Sequence, residues 1–168
     1  MPPQPDSHWR NNLTYTRPDG IVVPVASFEA LEAIANEWAS LVDPAAPPGI
    51  AELLVTSRVL VAHAWFKYEF LAVACLVAAQ AVESACRQVV YPNDPSRFQA
   101  LFARAVKEGR IPPRLAPRVE TKPGRPYALP EFRNQLAHPG GRLGFPPAAA
   151  GPILAACHEI VSDLCRSV

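Results

Sequence analysis

The sequence predicts an all-α protein, an up-and-down helical bundle of about five helices with a short N-terminal β-hairpin. Three observations carry that prediction. The stretch from Ile50 to Tyr91 holds neither proline nor glycine and is dense in alanine, leucine and valine. The 20 prolines are segregated at the N-terminus, around 44–48, from 112 to 130 and from 139 to 152, so they punctuate helices without interrupting them. Between them, apolar residues recur at three- and four-residue spacing. A length of 168 residues suits one domain with a substantial core, and 49% hydrophobic against 18% charged residues excludes a disordered chain.

Residues 1–12 read as a loosely attached tail. Leu13 to Thr16 and Ile21 to Val25 are β-prone runs around Arg17-Pro18-Asp19-Gly20, which spells a hairpin; Pro24 confines it to an edge. Ser27 offers an N-cap for a helix carrying Glu29 in its first turn and Leu31, Ile34, Trp38 and Leu41 on one face, ending near Asp43-Pro44. One long helix, or two joined by a kink, is expected over at least 58–91. It is apolar nearly all round, so it belongs at the centre of the bundle. Asp94 and Pro95 look like the cap and first residue of a further helix with Phe98, Leu101, Phe102, Ala105 and Val106 on one face, stopped by Gly109. Residues 110–129 form a Pro- and Arg-rich loop, long enough to suggest a function. Pro130 can start a short helix that Pro139-Gly140-Gly141 ends. The last helix begins at Pro147 or Pro152 and turns Ile153, Leu154, Cys157, Ile160, Val161 and Leu164 inward.

No targeting signal stands in Met1 to Asp6, and the most apolar run, Phe70 to Val82, is shorter than the roughly 20 residues of a membrane span. A soluble, cytoplasmic protein with no membrane partner is expected. Cys75, Cys86, Cys157 and Cys165 form no C-x-x-C pair and read as small buried hydrophobes. A Cys157/His158/Cys165 metal site is the weaker alternative, because adjacent helix residues diverge by about 100°. No set of His, Asp, Glu and Cys stands at ligand spacing, so neither a metal nor a cofactor is expected. His158 reads as a surface residue, and His63 as a packed residue at the core edge.

The net charge of +1 hides an asymmetry: from Arg104 to Arg142 there are nine basic and three acidic residues, a local +6 against −5 elsewhere. Arg110, Arg114, Arg118, Lys122 and Arg125 in the loop are candidates for contact with an RNA backbone, or else a solvated loop. Only Tyr127 stands nearby for base stacking.

The stretch that can carry chemistry is Phe132-Arg133-Asn134-Gln135-Leu136-Ala137-His138-Pro139-Gly140. On a helix Asn134 and His138 share a face at i, i+4, while Arg133 starts about 140° away and is long enough to curl back. An imidazole can exchange a proton with a ribose 2′-hydroxyl or a leaving oxygen, a guanidinium can hold phosphate oxygens, and an amide can orient either. One helix supplies one histidine, whereas cleavage wants an acid and a base. A two-fold dimer would supply both. The same residues also admit a structural reading, with His138 at a helix C-terminus and Arg133 paired to a carboxylate such as Glu83.

Arg-Asn-x-x-x-His, an R-x4-H pattern with a polar residue after the Arg, resembles the signature of HEPN domains. Ala64 to Phe70 leading into Ala79 to Arg87 is similar to the long first bundle helix of bacterial members. The likeness covers roughly 58–168 and makes 1–57 an N-terminal extension packed on the bundle. It implies a metal-independent endoribonuclease of bacterial toxin or antiviral defence type, acting on RNA as a homodimer, with a neutralising antitoxin as a further partner. Arg133 and His138 would be the catalytic pair, Asn134 their companion, and Glu83 a second-layer partner of Arg133 or an ordinary helix charge beside Arg87. Products would carry a 2′,3′-cyclic phosphate and a 5′-hydroxyl. One subgroup places a modifiable Tyr two residues after the His; here that residue is Gly140, which argues against that pairing. The alternative is a non-catalytic HEPN-like module that binds nucleotide, RNA or a protein. Trp65, Phe66, Tyr68 and Phe70 fit core or dimer packing.

Overall fold

The computed structural model describes residues 4–7, 9, 14–16, 21–117, 127–137 and 147–166. Two short strands, β1 (Thr14–Thr16) and β2 (Val22–Pro24), pair antiparallel with Tyr15 opposite Val23, and Pro24 sits at the end of the ladder. Six α-helices follow: α1 (Phe28–Glu37), α2 (Pro48–His63), α3 (Phe70–Ala85), α4 (Phe98–Lys107), α5 (Ala128–Ala137) and α6 (Pro147–Arg166). α1 starts as its sequence dictates: the Ser27 Oγ accepts the Ala30 N–H at 3.2 Å. It tightens into a 3₁₀ turn over Trp38–Leu41.

α3 is the centre. α2 folds back along it, α5 and α6 pack on its other sides, and α1 packs on α2. Its buried face is built from small residues, Ala72, Ala74, Ala78, Ala79 and Ala81 among them, which lets neighbouring helices approach closely. After Ala85 the coil widens into a π-helical turn, Cys86–Val90. Together they make a helical stretch of 21 residues from Phe70 to Val90, long and apolar enough to cross a membrane by length and composition, and longer than the apolar run apparent in the sequence. In this fold it is the core helix of the bundle.

Three expectations need correction. The expected helix over 58–91 is neither one long helix nor two joined by a kink: the chain leaves helical geometry at Ala64 and re-enters it at Phe70. The cause lies far away in sequence. The carbonyls of Ala64 and Trp65 accept Trp9 Nε1–H (2.6 Å) and Asp6 N–H (2.7 Å), and Asp6 Oδ2 accepts the Tyr68 N–H at 3.0 Å. The N-terminal segment thus satisfies polar groups that a helix end leaves open. Trp9 itself is fully buried, with its ring 5.5 Å from Tyr68 and 6.4 Å from Trp65. The tail is therefore anchored at Asp6 and Trp9, and one core runs from Trp9 through Leu31, Trp38 and Leu54 to Leu154 and Ile160. The expected boundary at 57/58 falls inside α2.

The third correction concerns α4, which begins at Phe98 and not at Pro95. The Asp94 carboxylate accepts the N–H of Ser96 at 2.9 Å, so it closes a local turn and does not cap a helix. The far end of α4 matches its sequence. Gly109 adopts φ 74°, and the N–H groups of Gly109 and Arg110 bond back to Val106 O (3.1 Å) and Ala105 O (2.9 Å). A Cβ there would meet nothing within 4 Å, so the cost of Gly109→Ala is conformational alone, about 1–2 kcal/mol. A denaturation midpoint measures it directly, and an unchanged midpoint would contradict the left-handed geometry.

Beyond α4 the loop is not structureless. Ile111, Leu115 and Ala116 are buried around a 3₁₀ turn at Pro113–Leu115, and the Ala128 N–H bonds to Pro117 O at 2.9 Å where α5 begins. α5 starts two residues before Pro130, and α6 runs from Pro147 through Pro152.

Candidate functional site

α5 presents Arg133 and Asn134 toward the C-terminal end of α3. The guanidinium of Arg133 donates through Nη2 to Glu83 Oε2 at 2.8 Å and through Nη1 to Asn134 Oδ1 at 3.3 Å. Its Nε is buried with no acceptor. The other carboxylate oxygen of Glu83, Oε1, accepts from Arg87 Nε at 3.1 Å, and Arg87 Nη1 donates to Ser96 O at 3.1 Å. A chain of polar contacts therefore joins α5, α3, the π turn and the approach to α4. Side-chain exposure is 25% for Arg133, 16% for Glu83 and 38% for Arg87. The carboxylate is the most enclosed member, and the two cations flank it nearer to solvent. Leu136 and Phe132 pack against the core, which holds this face of α5 on the bundle.

The pairing of Arg133 with Glu83, one of the readings the sequence offers, is thus present in the fold. A doubly held guanidinium is oriented, and it still presents N–H groups that an oxyanion can accept from. His138 follows the last residue of α5 in sequence and lies outside the described residues, as do Arg118, Lys122 and Arg125. The remaining two candidates of the basic loop are not free cations. Arg110 Nε sits 3.2 Å from Glu108 Oε2, and Arg114 Nη1 sits 2.6 Å from Glu159 Oε2. Arg104 is likewise held by Glu108 and Asp94 and lies over the Tyr91 ring. Burial and the hydrogen bond to Glu108 push the Tyr91 hydroxyl up to about 12. Among the described residues of this segment, Arg104, Arg110, Arg114 and Arg133 are each held by a carboxylate.

Beside the site, α5, α6 and the Pro113–Leu115 turn line a mostly apolar hollow of about 310 Å³, with Leu129, Phe132, Ile153 and Arg114 among its lining residues.

Two residues read differently from their sequence. His158 is not on the surface: it is fully buried beside Trp38, whose ring lies 5.9 Å away. Its Nδ1–H donates to Leu154 O at 2.8 Å, leaving Nε2 to accept from Arg58 Nη1 at 3.2 Å; this tautomer is the one that satisfies both contacts. Burial pushes its pKa down to about 4. A group neutral in the fold but protonated in the unfolded chain destabilises the fold as pH falls below its free value near 6.5. Unfolding free energy should drop by about 3 kcal/mol at most between pH 7 and 4 from this residue. Urea midpoints across that range test it, with His158→Gln expected to flatten the dependence. No signal along the chain marked this position, because its partner Arg58 is 100 residues away. His63 is an exposed residue set edge-on against Phe28 at 5.4 Å.

Cys75, Cys86 and Cys157 are buried free thiols, and desolvation lifts Cys86 and Cys157 to about 12, which leaves them inert packing groups. Among the described residues no three His, Cys, Asp or Glu side chains gather as a metal-ligand set.

Comparison with protein-family models, characterised proteins and solved structures finds no match for this chain.

Proposed function

We propose that this chain is a metal-independent endoribonuclease of HEPN type, acting on RNA as a homodimer in a bacterial cytoplasm. Its setting would be toxin or antiviral defence, with an antitoxin protein as a further partner. The observation that supports this reading most is the held guanidinium of Arg133 on α5, a helix packed against the central helix, within a sequence that reads Arg-Asn-x-x-x-His. In the proposed reaction the ribose 2′-hydroxyl attacks phosphorus and the bond to O5′ breaks. The proton of the 2′-hydroxyl goes to a base, and O5′ receives one from an acid. His138 and the same residue of a second copy fill those two roles, and Arg133 offsets charge on the non-bridging oxygens. Asn134 keeps the guanidinium in register.

The test is incubation of purified protein with end-labelled single-stranded RNA and total tRNA in excess chelator. Cuts that resist the chelator and leave 2′,3′-cyclic phosphate ends support the reading. Intact RNA with a folded dimeric protein would sink it.

A second reading is favoured by one specific feature, the mostly apolar hollow beside α5 with an arginine among its lining residues. In that reading the chain is a non-catalytic binding module for a nucleotide, RNA or protein partner.

A further inference from the structure

We infer that Arg87 is a second phosphate-binding residue of this site, so that Arg133 and Arg87 together take one phosphodiester of single-stranded RNA across the carboxylate of Glu83. The inference rests on the RNA-directed reading above, but not on cleavage.

Stoichiometry of charge is the first reason. Glu83 gives one carboxylate oxygen to each arginine, at 2.8 Å and 3.1 Å. Asp94 also lies within electrostatic reach of Arg87 but is shared with Arg104; over the linked groups, Arg87, Arg104, Arg110 and Arg133 stand against Glu83, Asp94 and Glu108, which leaves one positive charge in excess for a phosphodiester monoanion to neutralise. Accessibility is the second. The cations are more exposed than the anion between them, so an incoming oxyanion meets N–H donors before it meets Glu83. Arg87 Nε and Nη1 are engaged, whereas its Nη2 has no acceptor among the described residues and remains for a ligand. The buried Nε–H of Arg133 also lacks an acceptor, so this guanidinium has a donor that its contacts with Glu83 and Asn134 do not use.

Backbone geometry is the third reason. Arg87 lies within the π-helical turn Cys86–Val90, where the widened coil departs from the α3 register. Such turns cost helix regularity and recur where a side chain must be re-aimed at a site. From this turn Arg87 contacts both Glu83, four residues behind it, and the Ser96 carbonyl ahead of α4. A plain i, i+4 ion pair would need neither the turn nor the second arginine on the same carboxylate.

The probe is a short fluorescein-labelled oligonucleotide of 2′-O-methyl RNA, which cannot be cleaved, titrated by anisotropy between about 50 and 200 mM salt. Arg87→Gln should weaken binding roughly fivefold to tenfold and flatten the log–log salt slope by about 0.7, the value of one phosphate contact on a single strand. Arg87→Lys keeps the charge and should restore the slope. Glu83→Gln removes the competing carboxylate and should tighten binding, the opposite direction to Arg87→Gln. A purely structural Arg87 would alter thermal stability and leave the slope alone. A folded Arg87→Gln with the wild-type slope overturns the inference, as does a wild-type chain that does not bind the probe. Should Arg87→Gln fail to fold, a Glu83→Gln variant that does not bind more tightly overturns it. Arg87-dependent binding without cleavage of ordinary RNA would retain this inference and sink the ribonuclease; cleavage with Arg87-independent binding would do the reverse.

Discussion

Replacing His138 with alanine is expected to slow RNA cleavage by about 10²–10⁴-fold, the range for removal of a positioned acid or base. The fold and the oligomeric state should not change, because His138 follows α5 and is not needed for the Arg133–Glu83 contact that ties α5 to α3. Circular dichroism and sedimentation check the fold and assembly, and end-labelled RNA in chelator checks the rate. Cleavage equal to wild type would exclude the mechanism. Arg133→Ala should cost about 10²–10³-fold if the guanidinium offsets charge in the transition state. It also leaves Glu83 with Arg87 as its remaining described partner, so some loss of stability should accompany it. Arg133→Lys separates these effects. A lysine can keep the charge opposite Glu83 but offers no planar fork, so stability should recover more than activity.

Trp9→Ala should destabilise the protein by about 3–5 kcal/mol, the usual range for emptying a buried aromatic site. Against a total of roughly 5–15 kcal/mol, that removes a large part of the stability of a typical domain. The residue is 0% exposed, packs against Trp65 and Tyr68, and donates to the Ala64 carbonyl at 2.6 Å. Losing it opens a cavity and strips an acceptor of its donor at the turn between α2 and α3. Urea denaturation would show the shift, and a change below about 1 kcal/mol would mean that the ring is not part of the core. The variant also separates stability from chemistry. Trp9 meets the start of α3, whereas Glu83 lies near its other end, about 20 Å along the axis. At a temperature where Trp9→Ala remains folded, its cleavage rate should match wild type.

Much of the local structure was legible residue by residue. Ser27 caps α1, Gly109 closes α4, and the apolar face of α6 is the one its spacing spells. These are signals within one or two turns of helix, where a side chain meets the backbone that carries it. Of the candidate site, α5 was legible for the same reason, and Glu83 was identifiable as a carboxylate on the helix expected at the centre; the Arg133–Asn134 contact emerged with the structure. The pairing of Arg114 was not legible because its partner, Glu159, stands 45 residues further along the chain, whereas Arg110 pairs locally with Glu108. Asp94 was misjudged as a cap because its carboxylate had two local uses, and the turn at Ser96 won.

By itself the sequence determined the helical class, the hairpin followed by helices, some helix ends such as Ser27 and Gly109, and the residues of the Arg-Asn-x-x-x-His segment. Those depend on propensity, periodicity and capping, which act over a few residues. Only the tertiary structure decided where the proline-free stretch breaks, that Trp9 belongs to the core, that His158 is buried, and that Arg133 and Arg87 share Glu83. Each of these depends on satisfying or desolvating a polar group, or burying a ring, with partners brought together by folding. The donor from Trp9 to Ala64 crosses 55 residues of chain, and the contact of Arg58 with His158 crosses 100. No local pattern encodes such pairs, because their free energy exists only once the helices have packed.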